Sequence, residues 1–350
     1  MEQHARYVVN KAANADELWG GIPVAVFMGD DVQLPPVCDT LVYISDCRSA
    51  PSNHGRLVWT MFDSAVELTQ IIRQNESGQQ LRDVLISLRN YMTTPPANPL
   101  ATTVSMAQSP HVAWPRTLAR MDEQGLYVFP THRLEWQRNK TKLLECNRQP
   151  NHPVAKIKAV DNGRHAVKAD SNKAGGLLPL LYLCRDSKVM LVVNFKADWG
   201  LYNGAVGTVV DIVYKDGHRP TDDPAPLPGV VLVRFPGYRG PPYINEDPTV
   251  VPIVPVSLRL AWGTTIHKCQ GMTVGTGEAF RYVVVHPGDH GFEARNPGAL
   301  FVALSLNNTI GHLRRVILES LFYKMLVALA HTRHSVGYVF SSRQDTAIQG

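Results

Sequence analysis

Short apolar runs bounded by Gly, Pro and Asp set the pattern of this chain, with a few stretches of helical periodicity between them. The run Ile22-Pro23-Val24-Ala25-Val26-Phe27-Met28 ends in Gly29-Asp30 and predicts a buried parallel strand leading into a loop, where Pro35-Pro36 stops any helix. In open α/β sheets the carboxyl end of such a strand is where ligands sit. Residues 57–74, with Trp59, Phe62, Val66 and Ile71 among the apolar positions, predict a helix. Leu81, Val84, Leu85 and Leu88 follow i, i+3, i+4, i+7 and predict a second, amphipathic helix over 79–92. Five prolines and several small polar residues make 94–116 a loop or linker.

Leu126 to Pro130 reads as a strand, Thr131 as an N-cap, and 132–146 as a polar helix. From 149 to 176 the chain is polar, basic and weakly periodic. Strand signals at 189–193, 204–214, 229–235 and 250–256, punctuated by Gly and Pro, predict a small all-β insert at about 186–256. They return at 282–286 and 300–304, and Leu313, Val316, Leu321 and Leu329 mark a helix over 312–331. There is no internal repeat and no low-complexity tract.

The hydrophobic fraction of 44% and charged fraction of 19% are those of a globular chain, and 350 residues give room for two or three domains. No apolar run reaches the roughly 18 residues of a membrane span, and the first residues show no apolar signal region, so neither a membrane nor a secretory route is expected. Cys38, Cys47, Cys146, Cys184 and Cys269 form no CxxC, which argues against a zinc module or disulfide framework and suits a reducing, intracellular compartment. The net charge is +5, and residues 131–170 alone hold nine Lys/Arg against four acids. Such a block meets phosphates or is a solvated basic face.

Three segments carry candidate chemistry. Gly29-Asp30-Asp31-Val32-Gln33-Leu34-Pro35-Pro36 places Asp30 and Gln33 at a strand end, where Gln orients an attacking water in several phosphoryl-transfer sites; alone it is equally a polar turn. Arg73, in Ile71-Ile72-Arg73-Gln74, sits at a helix end and is a charge for a γ-phosphate or a surface Arg. Leu258 to Thr273 (LRLAWGTTIHKCQGMT) turns an apolar strand into a Thr/His/Lys/Gln segment closed by Gly, a set suited to holding phosphates.

In order, GGIPVAVFMGDDVQLPPV, LTQIIRQ, VMLVVNFKADWGLYNGAVGTVVDIV, LRLAWGTTIHKCQGMTV and FVALSLNN resemble the Pif1-like group of superfamily 1 DNA helicases, including those of Helitron-type transposons, from about Trp19 to Arg315. The resemblance implies an α/β fold of two RecA-like, P-loop NTPase-type lobes with a small SH3-like β insert. It implies ATP-dependent 5′-to-3′ movement on single-stranded DNA, work in DNA repair, recombination and telomere maintenance, and nuclear or mitochondrial residence. It gives Asp30 and Gln33 a γ-phosphate-sensing role and lets Arg73 reach the ATP phosphates. Thr265, His267 and Lys268 then face DNA, with Gln270 and Gly271 on the nucleotide side. The insert touches DNA near Leu201, Asn203, Gly204 and Gly207.

Three parts of the family pattern are missing. No GxxxxGK(S/T) loop occurs, and the acidic pair Asp16-Glu17 follows Ala-Asn-Ala instead of an apolar strand, so it reads as helix surface. The family's VALSR.R string is Val302-Ala303-Leu304-Ser305-Leu306-Asn307-Asn308, with both Arg positions replaced. The expected organisation is a partial first lobe at 1–95, a second lobe at 96–185 and 257–316, the insert at 186–256, and a C-terminal helix and tail at 317–350. The first-lobe sheet should lack the strands of the two ATP motifs and leave Val24 and Val26 poorly covered. ATP and Mg²⁺ are the family's cofactors, but the chain alone is expected to be inactive. It is read as such a helicase by resemblance, or as an ATP-independent single-stranded DNA-binding remnant or decayed transposon fragment.

Overall fold

Near the N-terminus, helix formation follows a cap and not the apolar spacing. The computed structural model describes residues 17–30, 49–68, 70–71, 79–89, 123–150, 152–159, 177–214, 226–275, 277–286, 292–296 and 298–306, with positions 5, 34, 217, 218, 222 and 288. The chain forms two compact units, Met1–Ile72 and Arg73–Gly350. In the first, helix α1 spans Ala50–Trp59 and not 57–74. The Ser49 side chain accepts a hydrogen bond from the Ser52 N–H at 3.2 Å, and Pro51 sits in the first turn, where a missing N–H is harmless. The helix closes at Thr60, whose N–H donates to the Arg56 carbonyl. Beyond it the Ser64 hydroxyl bonds the Asp63 carboxylate at 3.0 Å, a turn-forming pair and not a helical one.

The 22–28 run is not the buried strand its composition predicts. It pairs with no strand among the described residues, and Val24, Val26 and Met28 are 70%, 75% and 92% exposed. An apolar run supplies side chains for a sheet, but its backbone groups need a neighbour before a ladder exists. Phe27 packs among rings, 5.6 Å from Trp19, 6.1 Å from Trp59 and 5.0 Å from Phe62 by ring centroids. Glu17 is exposed beside a 3₁₀ turn at Leu18–Gly21; Asp16 lies outside the described residues.

The second unit runs α2 (Gln79–Arg89), β1 (Gly125–Phe129), α3 (His132–Asn147), β2 (Ala155–Lys158), β3 (Leu180–Leu183), β4 (Lys188–Leu191), β5 (Val206–Val213), β6 (Val230–Arg234), β7 (Val250–Ile253), β8 (Leu258–Leu260), β9 (Gly263–Thr265), α4 (Ile266–Cys269), β10 (Tyr282–Val285), α5 (Phe292–Arg295) and α6 (Ala299–Ser305). β1 is the centre of a parallel sheet of order β10-β1-β9, with Val128 opposite both Thr264 and Val285. β10 and the inner face of β1 are buried, as a parallel strand covered by helices requires. α2 packs on α6 through an apolar stripe that includes the buried Leu81 and Leu85. Residues 90–92 and the helix expected at 312–331 lie outside the described residues.

A third correction falls at 300–304, which is helix and not strand. Ala299, Leu300, Val302, Ala303, Leu304 and Leu306 are all buried, so the segment is apolar nearly all round, and such a short run carries no period to tell the two apart.

The β-rich part is an antiparallel five-stranded sheet of order β7-β6-β5-β4-β8 beside the antiparallel β2–β3 pair. One core joins them, including Ile157 and Leu183 with Val189, Val209, Val233, Phe235, Ile253 and Leu258. This core draws on residues both before and after the 186–256 range. A Cβ on Gly207 would lie 2.5 Å from Val233 Cγ1 and 2.7 Å from the Arg234 carbonyl oxygen, so β5 approaches β6 closely only because a glycine stands there. β8 leaves this sheet and, after Ala261-Trp262, the chain enters the parallel sheet as β9.

Candidate nucleic-acid interface

Two turns of α3 hold the β8–β9 crossing in place. The Asn139 side chain meets both backbone groups of Gly263: its amide N–H donates to the Gly263 carbonyl at 3.0 Å, and the Gly263 N–H donates to its Oδ1 at 2.8 Å. The amide thus acts as a strand partner for β9. One turn earlier, Glu135 is buried and pairs with the buried Arg259 of β8, while its other oxygen lies 2.8 Å from His132 Nδ1. Gly263 itself leaves room, because a Cβ there would lie 3.0 Å from the Phe129 ring. Arg138 stacks 3.8 Å over the Tyr127 ring on the neighbouring strand.

α3 therefore buries a polar stripe. Glu135, Asn139 and Lys142 recur at i, i+4, i+7 and are all buried, with Lys142 bonded to Glu145 at 2.7 Å. Sequence reasoning read this helix as polar and basic and missed Glu135, Asn139 and Arg259 as positioning residues. Their partners stand 124 positions away in the chain, so the sequence carried no local signal for them. Of the basic block, Arg133, Lys140, Arg148, Lys156 and Lys158 are exposed, Arg138 and Lys142 serve packing, and Arg164 and Lys168 lie outside the described residues.

Held this way, β9 delivers Thr264 and Thr265 into α4. Both hydroxyl oxygens are buried and find no hydrogen-bond partner, and Thr265, at the N-cap position, makes no side-chain cap bond. A buried unsatisfied hydroxyl costs about 1–3 kcal/mol. His267 is exposed, and its pKa is lowered by partial burial and by the neighbouring His132. Lys268 is half-buried, and its pKa is lowered first by burial and then by the Arg259 charge, with Glu135 opposing. Arg259 and Lys268 thus share the field of the one buried Glu135 carboxylate. Ile266 and Cys269 face inward, and burial pushes the Cys269 thiol up to about 12. Gln270 is exposed, and Gly271 turns the chain at φ 85°.

The β4–β5 loop arrives at the same place. A Cβ on Gly204 would touch Met272 Cγ at 4.0 Å, so Asn203-Gly204 lies next to the turn that closes the Thr/His/Lys segment. The loop is braced by the Asn203 N–H donating to Asn194 Oδ1 at 2.7 Å and the Gly204 N–H donating to the Leu191 carbonyl. Leu201 and Gly207 are explained by packing, whereas Asn203 is exposed beside the exposed rings of Tyr202 and Phe195. Thr265, His267, Lys268, Gln270 and Gly271 thus lie in one segment, and Gly204, next to Asn203, approaches the Met272 turn that follows it. Asp30 is half-buried in the first unit, and Gln33 and Arg73 lie outside the described residues.

No protein-family model and no curated protein matches the chain. Solved structures do. A structure of two coordinating Pif1 helicases at forked double-stranded DNA superposes with a TM-score of 0.51 at 21% identity, over 97% of this chain and 70% of that one. Bacteroides Pif1 bound to single-stranded DNA gives 0.51 at 22% identity, over 97% and 71%. With its parallel β10-β1-β9 sheet, its helices and its β-rich part, this chain has the RecA-like α/β fold of these Pif1 helicase structures.

Proposed function

We propose that this chain binds single-stranded DNA through the β9–α4 segment and the β4–β5 loop, and that it does not turn over ATP by itself. The observation that carries the reading is the approach of Gly204 to Met272, which sets the β4–β5 loop against the turn that follows the Thr265–Gly271 segment, with its two unpartnered threonine hydroxyls at 264 and 265 and its Lys268. The single-stranded DNA named in the Bacteroides structure supports it. A cationic groove with hydroxyl or stacking contacts binds a strand without nucleotide. In this reading 1–95 belongs to a first lobe, 96–185 and 257–316 to a second, and 186–256 to the β insert.

For ATP the residues do not fit. At the position where the family reads the first Arg of VALSR.R, Leu306 is fully buried, its carbonyl accepting from the Val274 N–H at 2.9 Å. No GxxxxGK(S/T) loop stands in the sequence. An arginine finger alone is worth roughly 10³–10⁵ in rate. Helicase work in repair, recombination or telomere maintenance would need these parts supplied from elsewhere.

Titration of the full chain with oligo-dT tests the binding. Micromolar affinity that weakens steeply with salt is expected, and Lys268→Ala should flatten the salt slope by about one unit. Absence of binding at about 50 mM salt sinks the reading. DNA-stimulated ATP turnover above about 1 per second, the lower end of ordinary enzyme rates, sinks its second half.

A further inference from the structure

The β4–β5 loop meets the β6–β7 loop in an aromatic crossing. Trp199 ends a 3₁₀ turn at Ala197–Trp199, and Gly200 then turns the chain at φ 83°. A Cβ on Gly200 would strike the Gly237 carbonyl oxygen, so the two loops touch backbone to backbone. The Arg239 N–H donates to the Trp199 carbonyl at 2.9 Å. Gly240 lies against two rings: a Cβ there would strike the Tyr238 hydroxyl and lie 2.8 Å from Trp199 Cδ2. Trp199 meets Tyr238 edge-on with ring centroids 6.5 Å apart, and Tyr243 follows 6.5 Å beyond Tyr238. Tyr238 is buried and donates its hydroxyl to the Pro241 carbonyl at 2.9 Å, so it closes the crossing. Tyr243 is 55% exposed and Trp199 half-buried, with Lys196 Nζ 5.9 Å from the Trp199 ring centroid. We propose that Trp199 and Tyr243 form a stacking platform for unpaired bases, which continues the path of a bound single strand across the β-rich part.

This inference rests on the single-stranded DNA reading and adds to it residues from a second loop. Sites that hold single strands without regard to sequence set rings among cations along one path, since every base has a face to stack. Here one stretch of chain links the platform to the proposed interface: Trp199 stands four positions before Asn203, whose neighbour Gly204 approaches Met272. The glycine contacts hold both loops in place before a ligand arrives, so little ordering opposes binding. Charge on the two loops is nearly balanced. Lys196 lies 4.0 Å from Asp198, Arg239 and Glu246 are exposed, and Asp247 is paired with Arg234. The rings, and not released counterions, therefore supply the affinity at this end of the path. Bases in a duplex are stacked on one another, so the platform takes unpaired strands.

The test titrates the full chain with oligo-dT and with an abasic strand of equal length, which keeps the phosphates and lacks the bases. Tyr243→Ala, at an exposed site, should weaken oligo-dT binding about five- to a hundredfold, the worth of one stacked base, with the salt slope unchanged. It should leave the abasic strand unaffected, and Tyr243→Phe should bind like the parent. Lys268→Ala, by contrast, should weaken both strands and flatten the slope. Oligo-dT carrying iodouracil should crosslink under light to the peptides that contain Trp199 or Tyr243. Equal loss on both strands in Tyr243→Ala, or crosslinks confined to other peptides, overturns the platform. So does oligo-dT affinity that Tyr243→Ala leaves intact, and in each of these cases the DNA reading stands. A parent chain that binds neither strand at about 50 mM salt overturns both.

Discussion

The 22–28 run of the first unit and the β10 strand of the second are alike in composition and opposite in fate. Both are short and rich in Val, and both invite a parallel-strand reading. Tyr282–Val285 pairs with β1 along four register positions and is buried, whereas Val24 and Val26 are mostly exposed and pair with nothing among the described residues. The difference is not in the strands but in their neighbours. β1 offers β10 a row of amides and carbonyls, and α6 packs against β10. Among the described residues of the first unit, Phe27 packs in a ring cluster with Trp19, Trp59 and Phe62. Burial, and with it the hydrophobic stabilisation of roughly 25 cal/mol per Å², comes from partners and not from apolar sequence.

The largest effect expected from this contrast is in the β-rich core. Phe235, 1% exposed, should cost about 3–5 kcal/mol on replacement by Ala. Phe27→Ala, which removes edge-on ring contacts at a half-exposed site, should cost about 0.5–1.5 kcal/mol. Val24→Ser should stay within about 0.5 kcal/mol of the parent. Urea unfolding measures all three. A Val24→Ser loss comparable to that of Phe235→Ala would mean that the first unit has a core after all, and the contrast would collapse.

Next comes the buried ion pair. Glu135→Ala leaves Arg259 uncompensated between α3 and β8 and should cost about 3–5 kcal/mol if the surroundings stay dry. Replacing both partners by apolar residues should recover much of that loss, and failure of the double variant to do so would show that the pair contributes more than mutual compensation. Asn139→Ala should cost less, about 1–3 kcal/mol, because it strands the Gly263 N–H and carbonyl. Its distinguishing mark is that oligo-dT affinity should fall while the isolated β-rich core is untouched, which a β2–β3 fluorescence probe and a DNA titration read separately.

These positioning residues also mark where the sequence stopped being legible. β1, β5, β6, β10 and α3 follow from their patterns, because period and flanking Gly or Pro are local signals. The Thr265 to Gly271 string was visible because its residue types are unusual together. Asn139 and Arg259 were not, since an amide that pairs with a backbone 124 positions away leaves no local trace. The Ala50–Trp59 helix was missed for the opposite reason: its Ser49 cap and Pro51 are local signals, but the apolar residues further on, at 62, 66 and 71, drew the reading past its end. At 300–304 no rule of period applies to a run that is apolar throughout.

The smallest effect concerns pH and separates the fold from the site. The His267 pKa is depressed in the folded chain, first by burial and then by His132. The unfolded chain therefore binds the proton more readily, near the ordinary value of 6.5, so this residue's contribution to stability is complete above that pH and is lost as pH falls through the lowered folded value. DNA acts with the other sign. A phosphate placed among His267, Lys268, Arg259 and His132, with Glu135 the opposing carboxylate, favours the protonated ring, so oligo-dT affinity should rise as pH falls from about 7.5 towards 5.5 while stability declines. His267→Gln should flatten both curves and leave affinity at about pH 7.5 only slightly weakened, because the ring is neutral there. Parallel measurement of urea midpoint and DNA affinity across this range checks it. If both curves fall together in the parent chain and both persist in His267→Gln, the titrating group is elsewhere and the imidazole meets DNA, if at all, by stacking.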